Sequence, residues 1–170
     1  GRDTMIALPG ICISTGQYET AKEILRTFAV NERGGLMPNL FPEGGNDPLY
    51  NTVDAALLFI NCVYLYYQAA GDRAFVQEMY PVMERIIKAY REGTDYGIHM
   101  DEDGLIQSGE GLWQVTWMDV RVGDILPTPR HGKPVEINAY WYNALCIMDE
   151  LAETADKKAV YTQLKEKVKA

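Results

Sequence analysis

The chain has 170 residues, of which 47% are hydrophobic and 24% charged, so it is long and apolar enough to fold around a core and is not disordered. Its formal net charge is −8, and lysines concentrate only in the last fourteen residues, among acids and apolar residues. This balance argues against nucleic acid or an anionic membrane as the partner. No apolar run is long and clean enough to span a bilayer, and no signal peptide is recognisable.

Three cysteines, Cys12, Cys62 and Cys146, lie far apart and inside apolar helix patterns. Their odd number and their surroundings predict small buried thiols in a reducing compartment, so we expect a cytoplasmic protein. His99 and His131 are isolated residues. The sequence therefore predicts neither a metal site nor a cofactor.

The N-terminal part of the chain predicts two helices of different character. Residues 3–16 are apolar on nearly all sides of a helix, which Pro9 should kink or restart. Residues 18–32 are amphipathic, with one apolar and one charged face. Residues 33–49 are rich in glycine and proline and predict a long loop.

The remaining chain repeats this alternation twice. The predicted elements are, in chain order, an apolar helix over residues 52–70, an amphipathic helix over 73–92, an irregular stretch over 93–133 with at most a short hairpin near 96–107, and two further helices over 135–154 and 157–169. A helix that is apolar all round must be enclosed, whereas a helix with one apolar stripe lies outside. We therefore predict three helical hairpins whose first helices lie side by side on the inside.

Three such hairpins form an internal repeat, with short turns at one end and long loops at the other. They do not close on themselves, and their natural completion is a ring of six hairpins, an α/α toroid. We therefore predict an all-α fold in which residues 1–170 are one partial domain, about half of the ring, of a longer protein. Because the flanks of a half-ring are apolar, we expect homodimerisation through exposed helix faces or a need for the missing half.

A polar motif precedes each of the three predicted inner helices. The motifs are Gly1-Arg2-Asp3-Thr4, Asn51-Thr52-Val53-Asp54, and a longer run over residues 113–138. If the helices run back and forth, all three motifs lie at the same end of the array. A polar, aromatic and carboxylate-rich end on an apolar helical scaffold is typical of a carbohydrate-processing site.

Asp119 is the strongest candidate for a catalytic residue. Glycoside hydrolysis needs a carboxylic acid that stays protonated until it delivers its proton to the leaving oxygen. Apolar and aromatic neighbours disfavour ionisation of a carboxyl group, and Trp113, Trp117 and Met118 lie close to Asp119 in sequence. The alternative interpretation is a loop aspartate that makes a turn or caps a helix.

The other polar residues of the motifs also allow two interpretations. Arg2 and Asp3 precede the first helix, Asp54 lies in the first turn of the third, and Glu136 and Asn138 open the fifth. Each alone is explained by helix capping or by solvation, and only their recurrence at one end favours a shared site. Four aromatic residues have a similar ambiguity between sugar stacking and core packing: Trp117, Trp141, Tyr50 and Phe41.

The motifs carry a resemblance to a known family. The segments that carry it are, in order, Gly1-Arg2-Asp3-Thr4, Pro38-Asn39-Leu40-Phe41, Tyr50-Asn51-Thr52-Val53-Asp54-Ala55, Tyr96-Gly97-Ile98-His99, Thr116-Trp117-Met118-Asp119, Thr128-Pro129-Arg130 and Gly132-Lys133-Pro134-Val135-Glu136-Ile137-Asn138-Ala139-Tyr140-Trp141-Tyr142. Together they resemble the C-terminal glucosidase domain of glycogen debranching enzymes, from the first residue to about Leu151.

The resemblance implies an α/α toroid and an amylo-α-1,6-glucosidase, an enzyme that removes the single glucose left as an α-1,6 stub on a limit dextrin. It implies an inverting hydrolase with one acid and one base, acting on glycogen or maltodextrin branches. By position, Asp119 matches the general acid. The residues that match the substrate pocket are Arg2, Asp3, Asp54, Trp117, Arg130, Glu136 and Asn138.

No residue of the chain matches the general base of that family. It is expected as a glutamate in a later part of the toroid, so activity should need residues beyond these 170. Two alternatives remain open at this point. One is another toroid glycosidase, similar to a glucoamylase or a trehalase, and the other is a non-catalytic glucan-binding or scaffold domain that has no need of Asp119.

Overall fold

The computed structural model describes residues 1–40 and 47–170, and the proposed stacking residue Phe41 lies outside these ranges. The described chain is mostly helical, as the alternating apolar patterns predict. Its α-helices are α1 (Arg2–Leu8), α2 (Tyr18–Val30), α3 (Ala55–Ala70), α4 (Arg73–Glu92), α5 (Val135–Leu151) and α6 (Thr162–Lys169), and a π-helical turn (Pro9–Ile13) follows α1.

Pro9 divides the first predicted helix, as expected. Since proline has no backbone N–H, it cannot donate to the carbonyl of Met5, which lies four residues earlier. The thiol of Cys62 on α3 donates to that carbonyl instead, at 3.1 Å. Burial raises the pKa of Cys62 to about 12, so the thiol keeps its proton. The break in the helix is therefore stabilised by a neighbouring helix.

The three inner helices pack side by side, with α3 between α1 and α5. The amide of Asn143 on α5 donates to Asn61 on α3 at 3.1 Å, and farther along both helices the hydroxyl of Tyr64 donates to Glu150 at 2.8 Å. These contacts advance in the same direction on both helices, so α3 and α5 run parallel. Nine of the sixteen residues of α3 are buried, including every residue from Ala55 to Ile60, which confirms the prediction of an enclosed third helix over its first half.

The hairpin of α3 and α4 is closed at both ends. Gly71 ends α3 with a φ of +66°, a left-handed conformation that suits glycine, and Asp72 caps α4 by accepting the N–H of Phe75 at 3.0 Å. At the far end, the hydroxyl of Tyr90 on α4 donates to the carbonyl of Val53, just before α3, at 2.7 Å. The two helices are therefore antiparallel, and the start of α3 faces the end of α4.

The outer helices α2 and α4 are joined on their charged faces. Arg26 forms a two-pronged contact with Glu78, both prongs at 2.8 Å, and Arg85 contacts Glu32 just beyond α2 at 2.8 Å. The Arg26–Glu78 pair is exposed and orients the helices more than it stabilises them, whereas the Glu32 side chain of the second pair is buried. The amphipathic pattern of residues 18–32 and 73–92 thus predicts both the buried stripe and the outer position.

Helix α6 is shorter than predicted, because it begins at Thr162 rather than near residue 157. The carboxylate of Asp149 on α5 accepts the backbone N–H groups of Val160 and Tyr161, at 3.0 and 2.9 Å, and the hydroxyl of Thr162 at 3.1 Å. This anchor holds residues 160 and 161 outside a helix, so α6 begins only at Thr162. A contact from a side chain that is distant in sequence therefore outweighs the local helical preference of these residues.

The irregular stretch contains the short hairpin that the sequence allows. Strands β1 (His99–Met100) and β2 (Ile106–Gln107) pair antiparallel. Among the helices that the structure describes, none is both long enough and apolar enough to cross a membrane. The first inner helix is less enclosed than predicted, because Ile6 and Ile11 are exposed on one flank.

The buried position of α3 makes a direct prediction for stability. Leu57→Ala should lower the free energy of unfolding by about 2–5 kcal/mol, because the cavity it leaves is walled by helices on several sides. Ile6→Ala, on the exposed flank of α1, is the control and should change it by no more than about 0.5 kcal/mol. Urea unfolding measures both, and equal effects would contradict the assignment of inner and outer faces.

Candidate active site

The guanidinium of Arg2 joins three segments that are far apart in sequence. Its Nε donates to Oδ2 of Asp54 at 2.6 Å, its Nη1 to Oδ2 of Asp119 at 3.1 Å, and its Nη2 to the hydroxyl of Thr52 at 3.4 Å. The Arg2 and Asp54 side chains are 8% and 3% exposed. We call Arg2, Thr52, Asp54 and Asp119 the arginine cluster. The convergence predicted from the three motifs is thus observed for Arg2, Asp54 and Asp119.

Gly1, which precedes Arg2, lies against the backbone of the loop that contains Asn39. A Cβ atom on Gly1 would lie 2.1 Å from the carbonyl oxygen of Asn39, which no real side chain tolerates. Glycine is therefore required at this position by close backbone approach. The contact brings the Gly1–Thr4 motif against the Pro38–Leu40 segment, so two of the sequence motifs that belong to different loops meet in space.

Asp54 is held from several directions. Thr52, fully buried, donates its hydroxyl to Oδ1 of Asp54 and accepts the N–H of Ala55 at 3.4 Å. Because both carboxylate oxygens of Asp54 are bonded, by Thr52 and by Arg2, this buried side chain is held in a fixed position. The third helix begins three residues later than predicted because Thr52–Asp54 serve this network instead of the first helical turn.

Asp119 is the accessible carboxylate of the cluster. Its side chain is 40% exposed, and Arg2 contacts only its Oδ2. Within residues 1–40 and 47–170, the hydrogen bonds of the Asp119 carboxylate involve Oδ2 and not Oδ1. Asp54 and Asp119 therefore differ in environment: the first is buried with both oxygens bonded, and the second is partly exposed with one oxygen bonded.

A buried glutamine holds the loop that carries Asp119. The Nε2 of Gln114 donates to the carbonyl of Val120 at 2.9 Å and so closes the loop across Thr116–Asp119. The same loop is tied to the second motif, because the N–H of Val53 donates to the carbonyl of Val115 at 2.8 Å. Sequence reasoning missed Gln114 and Thr52 as supporting residues, since their only signal is a polar residue beside a candidate carboxylate.

A second ion pair lies at the start of α5. Arg130 and Glu136 face each other with two parallel contacts, of which Nη2 to Oε2 measures 2.8 Å. The hydrogen bonds from Arg130 lower the pKa of Glu136 against the opposing effect of burial, and Trp117 adds a smaller contribution in the same direction. These three predicted pocket residues are thus brought together, although among residues 1–40 and 47–170 no hydrogen bond or ion pair joins their side chains to the arginine cluster.

Asn138 has a supporting position. Its Oδ1 accepts the N–H of Ile106 at 2.7 Å, and its Nδ2 donates to the carbonyls of Ile106 and Pro134 at 3.1 and 3.2 Å. Both amide hydrogens are therefore used by backbone, so Asn138 pins strand β2 to α5. Asp3 is exposed on the first turn of α1 and makes none of the hydrogen bonds of the arginine cluster.

The aromatic candidates separate into two groups. Trp141 is fully buried, donates its indole N–H to the carbonyl of Gly104 at 3.0 Å and stacks on Tyr90, so it is a core residue. Tyr50 is also buried, with its hydroxyl on the carbonyl of Asn31 at 2.7 Å. Trp117 is 55% exposed, so it is not a core residue.

The histidines and the acidic turn are engaged in local contacts. Lys133 contacts Asp101 and Asp103 at 2.7 and 2.8 Å, and His99 lies 3.2 Å from Asp101. Among the described residues, no group of three His, Cys, Asp or Glu side chains is arranged to hold a metal ion. The chemistry that the site offers is that of carboxylates, guanidinium groups and an exposed indole, which suits polyhydroxylated ligands.

Comparison with known families agrees with the motifs. The whole chain, residues 1–170, matches the family described as amylo-alpha-1,6-glucosidase. The chain belongs to this family. It is a glycoside hydrolase-family domain related to glycogen debranching enzyme, as the sequence motifs predict.

The relatives are much longer than this chain. A glycogen debranching enzyme of Saccharomyces cerevisiae is 30% identical over an alignment of 207 residues. The alignment includes 89% of this chain and 13% of the yeast protein. An alpha-L-rhamnosidase of Formosa agariphila is 28% identical over 159 residues, covering 87% of this chain and 15% of that protein. The chain thus spans about one seventh of the length of these relatives.

A solved structure has a similar fold. The GH78 family rhamnosidase of Bacillus sp. GL1 superposes with a TM-score of 0.62 at 16% sequence identity, over 91% of this chain and 15% of that one. At this sequence identity, the similarity concerns the fold alone. The helical arrangement described above therefore recurs in a part of a glycosidase.

The Arg130–Glu136 pair predicts a pH effect on stability. Because the folded-state pKa of Glu136 lies below its ordinary value of 4.5, the pair contributes stability above that pH and loses it as the pH falls toward the folded-state value. Glu136→Gln lacks this contribution and should lose less unfolding free energy between about pH 5 and pH 3 than the parent.

The matched control is Glu102→Gln, which removes one carboxylate from an exposed turn. Urea midpoints measured across the pH range give the slopes. Equal slopes of stability against pH for the parent and Glu136→Gln would show that Arg130 does not hold Glu136 in its ionised form.

Proposed function

We propose that this chain is part of an amylo-α-1,6-glucosidase that releases glucose from the α-1,6 branch stubs of glycogen limit dextrin. The observation that carries the proposal is the partly exposed carboxylate of Asp119 beside the buried Arg2–Asp54 pair. Family membership and the yeast relative named glycogen debranching enzyme support the substrate class. Glycogen or maltodextrin branches are then the partner, in the cytoplasm, with no cofactor.

In this mechanism Asp119 is the general acid. It donates its proton to the glycosidic oxygen as the bond from that oxygen to C1 of the terminal glucose breaks. A water molecule attacks C1 from the opposite face and loses its proton to a second carboxylate, so the configuration at C1 inverts. An inverting pair of carboxyl groups is separated by about 6.5–9.5 Å to leave room for that water.

The base of this reaction is assigned to residues outside this chain. Asp54 is a poor candidate, because both of its oxygens are bonded and its side chain is buried. We propose instead that Arg2 and Asp54 fix the position of Asp119 and that Arg130, Glu136 and Trp117 form a second wall of the pocket.

The remaining pocket residues have different roles in the proposal. Asp3, exposed on the first turn of α1, contacts sugar hydroxyls directly. Asn138 has a structural role, because its amide is hydrogen-bonded to strand β2 and to the residue that precedes α5. These roles extend the family resemblance to the positions where the residues lie.

We extend the proposal to the architecture. Three hairpins with parallel inner helices are about half of a six-hairpin α/α toroid. The exposed residues Ile6 on α1, Ile11 on the π-helical turn and Val135 on α5 mark the flanks where further hairpins would pack. Without such a neighbour, two copies of this chain would associate through the same flanks.

A second candidate activity is hydrolysis of α-L-rhamnosides. It is favoured by the Formosa agariphila relative and by the rhamnosidase with a similar fold. The two candidates are separated by the sugar released: glucose from limit dextrin supports the first, and rhamnose from an aryl α-L-rhamnoside supports the second.

The acid role of Asp119 is tested with two substrates in a protein that contains this chain and is active. Asp119→Asn cannot deliver a proton and should lower the rate on limit dextrin by about 10²–10⁴-fold. On α-glucosyl fluoride, whose leaving group needs little protonation, the variant should recover much of its rate.

Asp54→Asn is the matched control, because it removes a carboxylate from the same cluster without removing the proton donor. It should be impaired on both substrates. Equal impairment of Asp119→Asn on limit dextrin and on the fluoride would remove Asp119 from the acid role.

A further inference from the structure

Trp113 is a large aromatic side chain that the arginine cluster does not use. It is 47% exposed, although it belongs to the loop that carries Asp119. Its indole meets the ring of Tyr96 edge-on, with the ring centroids 4.7 Å apart and the planes at 78°. Because 47% of the Trp113 side chain is exposed, part of the indole stays uncovered beside this T-shaped contact.

The backbone around Trp113 holds this indole in place. The N–H of Trp113 donates to the carbonyl of Glu110 at 3.0 Å, and its carbonyl accepts Nε2 of His131 at 3.1 Å. Both main-chain groups of Trp113 are therefore bonded. A side chain on a fixed backbone loses little conformational entropy when a ligand stacks on it.

Tyr96 has a backbone conformation that is costly for its residue type. Its φ is +62°, in the left-handed region that residues other than glycine and asparagine rarely adopt. The carbonyl of Tyr96 accepts the N–H of Gly109 at 3.1 Å, which helps to retain the conformation. Such conformations persist where the surrounding structure enforces them, and they cluster at ligand sites. Here the conformation places the Tyr96 ring against Trp113.

Trp113 is also coupled in position to Asp119. The next residue, Gln114, donates its side-chain N–H to the carbonyl of Val120, the residue after Asp119, at 2.9 Å. One hydrogen bond therefore connects the neighbours of Trp113 and Asp119 and closes the loop between them. A ligand bound on Trp113 lies on the same loop as the accessible carboxylate.

We propose that Trp113, supported by Tyr96, is a stacking site for the α-glucan chain on the leaving-group side of Asp119. This inference rests on the proposed function of Asp119. A general acid faces the oxygen that departs with the leaving group, so the loop that carries the acid faces the departing chain. The faces of pyranose rings present C–H groups, which pack on an indole, while the ring hydroxyls stay in water.

The site should discriminate substrates by the chain they carry. Limit dextrin has a long glucan as leaving group, whereas α-glucosyl fluoride has none. Trp113→Ala should therefore lower the ratio of kcat/KM for limit dextrin to kcat/KM for the fluoride by about 3- to 10-fold, the range expected for one aromatic contact. Trp113→Phe retains an aromatic face and should restore most of the ratio.

Two further variants separate stacking from general damage to the loop. Leu112→Ala removes a neighbouring exposed apolar side chain and is the matched control, so it should leave the ratio at the parent value. Tyr96→Asn removes the supporting ring but tolerates the left-handed φ, so it should lower the ratio by less than Trp113→Ala does. Thermal unfolding of each variant checks that the loop still folds.

A binding measurement keeps this inference separate from the proposed activity. Maltohexaose titrated into the intact protein should bind the parent and Trp113→Phe, with about 3- to 10-fold weaker binding to Trp113→Ala. Equal binding to the parent and Trp113→Ala would overturn the stacking site even if Asp119 proves to be the acid. Failure of the parent to hydrolyse either substrate, with Trp113-dependent binding retained, would instead overturn the proposed function alone.

Discussion

The buried guanidinium of Arg2 is the interaction on which the site depends. It joins residues 52 and 117 positions away in the sequence through hydrogen bonds to Asp54 and Asp119. Burial disfavours the charged form of Arg2, but its bonds to the two carboxylates outweigh that effect and raise its pKa. The charge is therefore retained inside the protein, where it aligns one enclosed and one accessible carboxylate.

The surrounding helices and loops hold these two carboxylates and Arg2 in position. The start of α1 presents Arg2, and the parallel inner helices bring the start of α3 beside it. The hydroxyl of Tyr90 at the end of α4 holds the carbonyl of Val53, while the N–H of Val53 holds the loop of Asp119 through Val115. Thus the outer helix, the inner helix and the loop meet at one residue, Val53, next to Asp54. The apolar helices supply the stability that offsets the cost of burying the ion pair.

Much of the fold follows from local patterns. The contrast between apolar residues 52–70 and amphipathic residues 73–92 predicts which helix is enclosed, because burial on all sides and burial on one side leave different periodicities. The start of α6 could not be predicted in this way, since it is set by the carboxylate of Asp149 on another helix. The exposure of one flank of α1 could not be predicted from the sequence either, because an apolar helix face can pack against any neighbouring element.

The site was predictable to a similar extent. The recurrence of polar motifs before the inner helices led to Arg2, Asp54 and Asp119, whose convergence needs only that these helices run parallel. The supporting role of Gln114 depends on one loop geometry that no local pattern encodes. Trp141 shows the opposite limit: it occurs in a family motif, yet its indole N–H is satisfied inside the core.

The central claim, that Arg2 and Asp54 act as one buried unit, is tested most directly by a double-mutant cycle. The free energy of unfolding is measured for the parent, Arg2→Met, Asp54→Asn and the double variant. Each single substitution should cost about 3–5 kcal/mol, because it leaves a buried charge without its partner. The double variant should be about 2–3 kcal/mol more stable than the sum of the two losses predicts. Losses that add to within about 0.5 kcal/mol would contradict the account, because they would show that the two residues contribute independently.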